Sequence, residues 1–146
     1  MNIAIITWNN FYNFGTFLQA YALQKYLSNI GANAVIIDDY HFSVRKTLID
    51  NIKHYVRFLL KLLFFRKKYE NQRKEDKSVK KYQYFKKQYL NIDADALPLE
   101  KLNYRYDLFV CGSDQIWNPG VFNKNEAHKF YFATFATKPK IAYAPS

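Results

Sequence analysis

"NIAIITWNNFYNFGTFLQAYALQ", residues 2–24, carries the decision about fold. Its first part, "NIAIIT" at 2–7, is a continuous apolar run rich in isoleucine, which suits a strand buried on both faces of a parallel sheet. "NNFYNFG" at 9–15 reads as a loop. A helix is predicted from about Phe17 to Ile30. Thr16 and Gln19 match a capping box, and Phe17, Leu18, Ala20, Tyr21, Leu23, Tyr26, Leu27 and Ile30 recur at helical spacing. Gly31 fits a stop just past the helix end. "NAVIIDDY" at 33–40 is a second buried strand. Together these make one right-handed strand–helix–strand unit with parallel strands.

The remaining chain extends the same pattern. Residues 46–69 read as a cationic amphipathic helix, with Leu48, Ile49, Ile52, Tyr55, Val56, Leu59, Leu60, Leu63 and Phe64 recurring at three and four. Residues 70–80 are almost wholly polar, a linker or a helix extension. A helix is predicted around 78–89, with Val79, Tyr82, Phe85 and Tyr89 on one side. "LPLEKLN" suggests a short helix or turn around 98–103, and "YDLFVC" at 106–111 a strand. "KFYFATF" at 129–135 alternates or runs as a short extended piece, and "KIAYAPS" at 140–146 starts another buried strand. The expected fold is α/β: a Rossmann-like parallel sheet with helices on both faces. Ligands of such sheets bind beyond the carboxyl ends of the strands. Two polar loops leave such ends, "TWNNFYNFG" after the first strand and "GSDQIWNP" at 112–119.

Composition narrows the class. The chain has 146 residues, 49% of them hydrophobic and 19% aromatic, which excludes a disordered chain and suits one domain with a core. A single cysteine, Cys111, excludes an internal disulfide and fits a reducing compartment. The N-terminus lacks a basic n-region and a small-residue cleavage site, and the apolar run "FLLKLLFF" at 58–65 is too short to span a bilayer. A cytoplasmic protein is expected. The net charge of +10 is concentrated: residues 41–92 hold 15 Lys/Arg against 4 Asp/Glu. This basic, helical, insertion-like segment suits phosphates, an anionic membrane at its inner face or nucleic acid, or is simply a solvated helical face.

The octapeptide "GSDQIWNP" is unusually rich in functional groups for a turn. Gly112 allows a sharp turn and close approach of a ligand. Ser113 and Asp114 can cap a helix or hold a hydroxyl. Gln115 and Asn118 each offer a donor and an acceptor, as sugar hydroxyls require. Trp117 offers a flat face for a sugar ring or for packing on a loop. Asn13 and Gly15 sit where the first helix begins, so their backbone amides can hold an anion or simply set a turn. Gln19, one turn further, points to the cleft or serves the cap. Asp114 is the candidate for contacting an acceptor hydroxyl and, in a stronger form, for general-base work. Cys111 reads as a small buried core residue. His41, His54 and His128 read as surface or packing residues.

Three blocks, "YNFGTFLQAYALQ", "YDLFVCGSDQIWNP" and "KIAYAPS", resemble the N-terminal half of the polysaccharide pyruvyl transferase family. The matching positions are Asn13, Phe14, Gly15 and Leu18 to Leu23, then Gly112 to Gln115 with Trp117 and Asn118, then Lys140 to Ala144. The resemblance implies transfer of pyruvate from phosphoenolpyruvate to a pair of sugar hydroxyls as a ketal, on capsule, exopolysaccharide or cell-wall saccharides, often lipid-linked. It implies no metal, no cofactor and no nucleic acid, and a two-domain GT-B-like architecture. The donor-handling arginine and histidine would lie in a C-terminal half, so residues 1–146 read as a single N-terminal domain, inactive by itself. Competing readings are a glycosyltransferase half-domain and a non-catalytic anion- or membrane-binding module.

Overall fold

The computed structural model describes residues 1–10, 13–43, 68–112, 114–117 and 125–145. Five strands form one sheet in the order β3-β2-β1-β4-β5, and every neighbouring pair is parallel. They are β1 (Asn2–Ile6), β2 (Asn33–Ile37), β3 (Ile92–Asp93), β4 (Leu108–Gly112) and β5 (Lys140–Tyr143). The helices are α1 (Phe14–Asn29), α2 (Tyr40–Ser43), α3 (Lys68–Tyr89), α4 (Leu102–Arg105), entered through a 3-10 turn at Leu99–Lys101, and α5 (Asn125–Tyr131). A second 3-10 turn, Asp114–Trp117, follows β4. This is the expected α/β, Rossmann-like fold.

The apolar run of β1 has two destinations because successive side chains leave a strand on opposite faces. Ile3 and Ile5 join Phe17, Ala20 and Leu23 of α1 and Tyr82 of α3. Ala4 and Ile6 join Leu102 of α4, Phe109 of β4, and Phe130 and Tyr131 of α5. Ile3, Ile5 and Ile6 are 1% exposed or less, each such burial contributing about 1.5–3 kcal/mol. A strand with no polar face has no other stable position than the middle of a sheet covered on both sides.

Helix α1 starts earlier than its periodicity suggests. Asn13 is the N-cap, with extended backbone (φ −131, ψ 126) and a side-chain oxygen accepting the Gly15 N–H at 2.8 Å. A single amide cap suffices, so Thr16 and Gln19 lie inside the helix. Leu18, Tyr26 and Ile30, expected in the core, are exposed. Buried Gln24 takes an interior place instead. Its Nε2 donates to the Ala34 and Asn91 carbonyls at 3.1 and 2.7 Å, and its Oε1 accepts the Asn91 N–H at 3.0 Å. Gly31 has φ 89, the left-handed conformation that favours glycine after a helix.

Two expectations need correction. Residues 129–135 are not extended: they are the end of α5 followed by turns. Ala127, Phe130 and Tyr131 recur at helical spacing and all face one core. Of the two readings of residues 70–80, the helix extension holds: they are part of α3. β5 is an exposed edge strand rather than a buried one, with Ile141 51% and Tyr143 42% exposed. The helix expected over 46–69 lies outside the described residues apart from its last two positions, as does His54.

Candidate functional site

The winding of the sheet reverses between β1 and β4. From β1 the chain steps outward through α1 to β2 and through α3 to β3, then returns to β4 on the other side. β1 and β4 are neighbours, with Ile6 opposite Cys111. The loop after β1 and the turn after β4 therefore leave adjacent strands at the same end of the sheet. In open α/β sheets this switch point is where ligands sit.

At the β1 corner the backbone turns through Thr7, Trp8, Asn9 and Asn10 toward the end of β2. Asn9 is fully buried and donates from Nδ2 to the Ile37 and Thr7 carbonyls at 2.8 and 3.2 Å. The fully buried Asp39 is the hub. Its carboxylate accepts the Asn9 N–H at 3.3 Å, the Tyr131 hydroxyl at 2.8 Å and the Asn10 side-chain amide. Burial pushes the Asp39 pKa up from 3.8 to about 6, against the opposing pull of these hydrogen bonds and of the Lys86 charge. Burial and the neighbouring carboxylate push the Tyr131 hydroxyl upward, so it remains a donor. On the open side, Lys86 of α3 donates to Asn9 Oδ1 at 3.0 Å and Asn10 Oδ1 at 2.7 Å, and lies 3.6 Å from Asp38 Oδ1. Asn10 and Tyr40 N–H also donate to Asp38.

The β4 corner is held differently. Ile116 is 1% exposed in the apolar core. The half-buried Trp117 ring stacks on Phe132, centroids 5.3 Å apart and planes 5° apart, and Phe132 stacks in turn on His128 at 5.4 Å. Consecutive residues thus serve both corners: Tyr131 grips Asp39, and Phe132 backs Trp117. Tyr131, Phe132, Trp8 and Trp117 belong to one cluster. The arrangement sets half-buried polar groups, Asn10, Asp38 and Lys86, at one corner and an aromatic stack at the other.

The residues singled out in the sequence take varied places. Asn13 and Gly15 open α1 at the same sheet end, and Gln19 is half-buried a turn further on. Gly112 is the last residue of β4. A Cβ there would lie 2.7 Å from the Tyr143 carbonyl oxygen and 2.9 Å from its Cβ, so β5 occupies the space the glycine leaves. Asp114 and Gln115 contribute backbone to the 3-10 turn that presents Trp117. Ser113 and Asn118 lie outside the described residues. Cys111 is buried, its thiol pushed up to about 12 by desolvation, which suits a core residue rather than a nucleophile. Sequence reasoning missed Asp38, Asp39, Lys86, Tyr131 and Phe132. The detectable signal was the paired acids directly after one apolar strand and the paired asparagines three residues past another, since parallel strands in register bring such ends together.

No curated protein and no solved structure matches the chain. The family model described as polysaccharide pyruvyl transferase matches residues 13–146, from the N-cap of α1 past the end of β5. With that match over 13–146, most of the chain and four of the five parallel strands, the chain belongs to the polysaccharide pyruvyl transferase family.

Proposed function

We propose that this chain supplies the acceptor-side half of a pyruvyl transferase, which moves pyruvate from phosphoenolpyruvate onto two hydroxyls of a saccharide in surface polysaccharide synthesis. The bond changes define what the protein must do. Two C–O bonds form at C2 of the enolpyruvyl group, and the C2–O bond to phosphate breaks. One hydroxyl proton ends on the methylene carbon, which becomes a methyl group, and the other leaves with phosphate. An acceptor site must therefore orient two hydroxyls and take their protons. Asp114 is the residue proposed for that contact. Ser113, Gln115 and Asn118 complete the hydrogen bonding, Trp117 takes the sugar face, and Asn13, Gly15 and Gln19 close the opposite wall.

The observation that carries this reading is the common rim. The two motif-bearing corners leave neighbouring strands, β1 and β4, at one end of the sheet, in a chain of this family. On this reading the groups that hold the donor's carboxylate and phosphate belong to a second half of the architecture.

Titration of the chain with candidate saccharide acceptors, followed by Trp fluorescence and backbone NMR, tests this. Expected are shifts at residues after β1 and β4, loss of binding in Trp117→Ala, and weakened binding in Asp114→Ala. Joined to a family C-terminal half, the Asp114→Ala protein should bind phosphoenolpyruvate normally and release little phosphate. Preferential binding of a nucleotide sugar would transfer the reading to a glycosyltransferase. Unchanged acceptor turnover in Asp114→Ala would remove that residue from the chemistry.

A further inference from the structure

Helices α1 and α3 cover the same face of the sheet, and their inward sides are joined by rings. Phe14 and Phe17 meet Tyr82 at 4.6 and 5.3 Å, and Tyr21 meets Phe85 at 6.0 Å. Their outward sides have an unusual composition. On α3, Lys80, Tyr84 and Lys87 stand at i, i+4 and i+7, opposite the packed Tyr82 and Phe85, and all three are exposed. Tyr84 is 66% exposed. On α1, Leu18 and Tyr26 are 54% and 64% exposed with Lys25 beside them. A shallow groove of about 320 Å³, lined by Lys25, Gln88 and Tyr89 among others, runs between the two helices. α1 contains no acidic residue, and residues 79–89 of α3 contain none. Among the described residues, Lys25, Lys80 and Lys87 make no ion pair.

We propose that this outward face docks the chain on an anionic phospholipid bilayer. Lysines on flexible stems, aliphatic and tyrosine side chains between them, and, over α1 and residues 79–89, no carboxylate are the composition of a helix surface that lies in the headgroup layer. Soluble proteins rarely leave such side chains grouped without a partner. The charge is complementary to lipid phosphate. The exposed Leu18 has no role against a nucleic-acid backbone, and α1 and residues 79–89 contain no arginine, the residue suited to bidentate phosphate recognition. Docked this way, α1 lies along the bilayer with its N-terminal end, and hence the carboxyl rim of the sheet, at the surface. This inference does not depend on the reaction proposed above.

Co-sedimentation of the chain with vesicles tests it. Phosphatidylcholine vesicles containing phosphatidylglycerol should carry the protein down, neutral vesicles should not, and high salt should release it. A lysine at an anionic surface is worth about fivefold in affinity, so Lys80→Gln with Lys87→Gln should weaken binding about thirtyfold. Leu18→Ser, at unchanged charge, should weaken it further, by roughly tenfold. All these positions are exposed, and circular dichroism of each variant is the control for folding. Absence of vesicle binding overturns the proposal. So does binding undiminished by the double lysine variant, which would belong to another basic segment, and so does tighter binding of duplex DNA at matched salt with no effect of Leu18→Ser.

Discussion

The two corners of the rim leave adjacent strands, yet opposite physics holds them. The β1 corner is polar and buried: a carboxylate with no exposure gathers a hydroxyl, an amide and a backbone N–H. The β4 corner is apolar: Ile116 fills the core and Trp117 lies flat on Phe132. Hydrogen bonds to a buried acceptor set geometry, but keeping that acceptor charged costs free energy. Ring stacking allows more lateral freedom. The difference separates a corner fixed by hydrogen bonds from one fixed by packing, with Tyr131 and Phe132 tying the two together.

The largest expected effect is at the apolar corner. Ile116→Ala should lower unfolding free energy by about 2–5 kcal/mol, measured by denaturant titration, because it opens a cavity beneath the turn. A loss no larger than that of an exposed apolar residue would show the turn to be independent of the core.

The polar corner is tested through pH. A carboxyl whose folded-state pKa lies above its unfolded value favours the folded state fully below the unfolded value. That contribution disappears as pH rises through the folded value. For Asp39, raised from 3.8 to about 6, the change corresponds to roughly 3 kcal/mol lost between about pH 4 and pH 7. The difference in stability between the protein and Asp39→Asn should change by that amount over the window. A flat difference would mean that Asp39 ionises normally.

Tyr131→Phe removes a donor to Asp39 and should cost about 1–3 kcal/mol near neutral pH. It should also move the Asp39 transition to higher pH, because that hydrogen bond favours the charged form. Lys86→Met is the mildest test. Lys86 and Asp38 are each 21% exposed in their side chains, so the loss should be about 1 kcal/mol. Amide exchange should quicken at Asn9 and Asn10 while the Trp117 turn is unaffected. Equal quickening at both corners would erase the distinction between them.

Much of the frame was legible because its causes are local. Unbroken apolar runs at 3–6 and 34–37 declare buried parallel strands, Gly31 declares a helix end, and the spacing of Phe17, Ala20, Leu23 and Leu27 declares an inward face. Errors arose where local signals were ambiguous. "KFYFATF" is apolar enough for a strand, and only packing of Phe130 and Tyr131 on one core selects the helix. "KIAYAPS" has the composition of an interior strand but pairs on one side, with β4. Leu18 and Tyr26 fit a helical stripe, yet they lie on the side away from the sheet.

The amino-acid sequence alone determined the alternation of strands and helices, the family motifs and the concentration of positive charge, since propensity, capping and composition act over a few residues. Only the tertiary structure decided that Asp39 meets Tyr131, 92 positions away, and that Lys86 reaches Asn10 across 76. Parallel register and the reversal of winding bring those groups to one rim. No nearest-neighbour preference encodes such a meeting, because its free energy exists only once the sheet has formed.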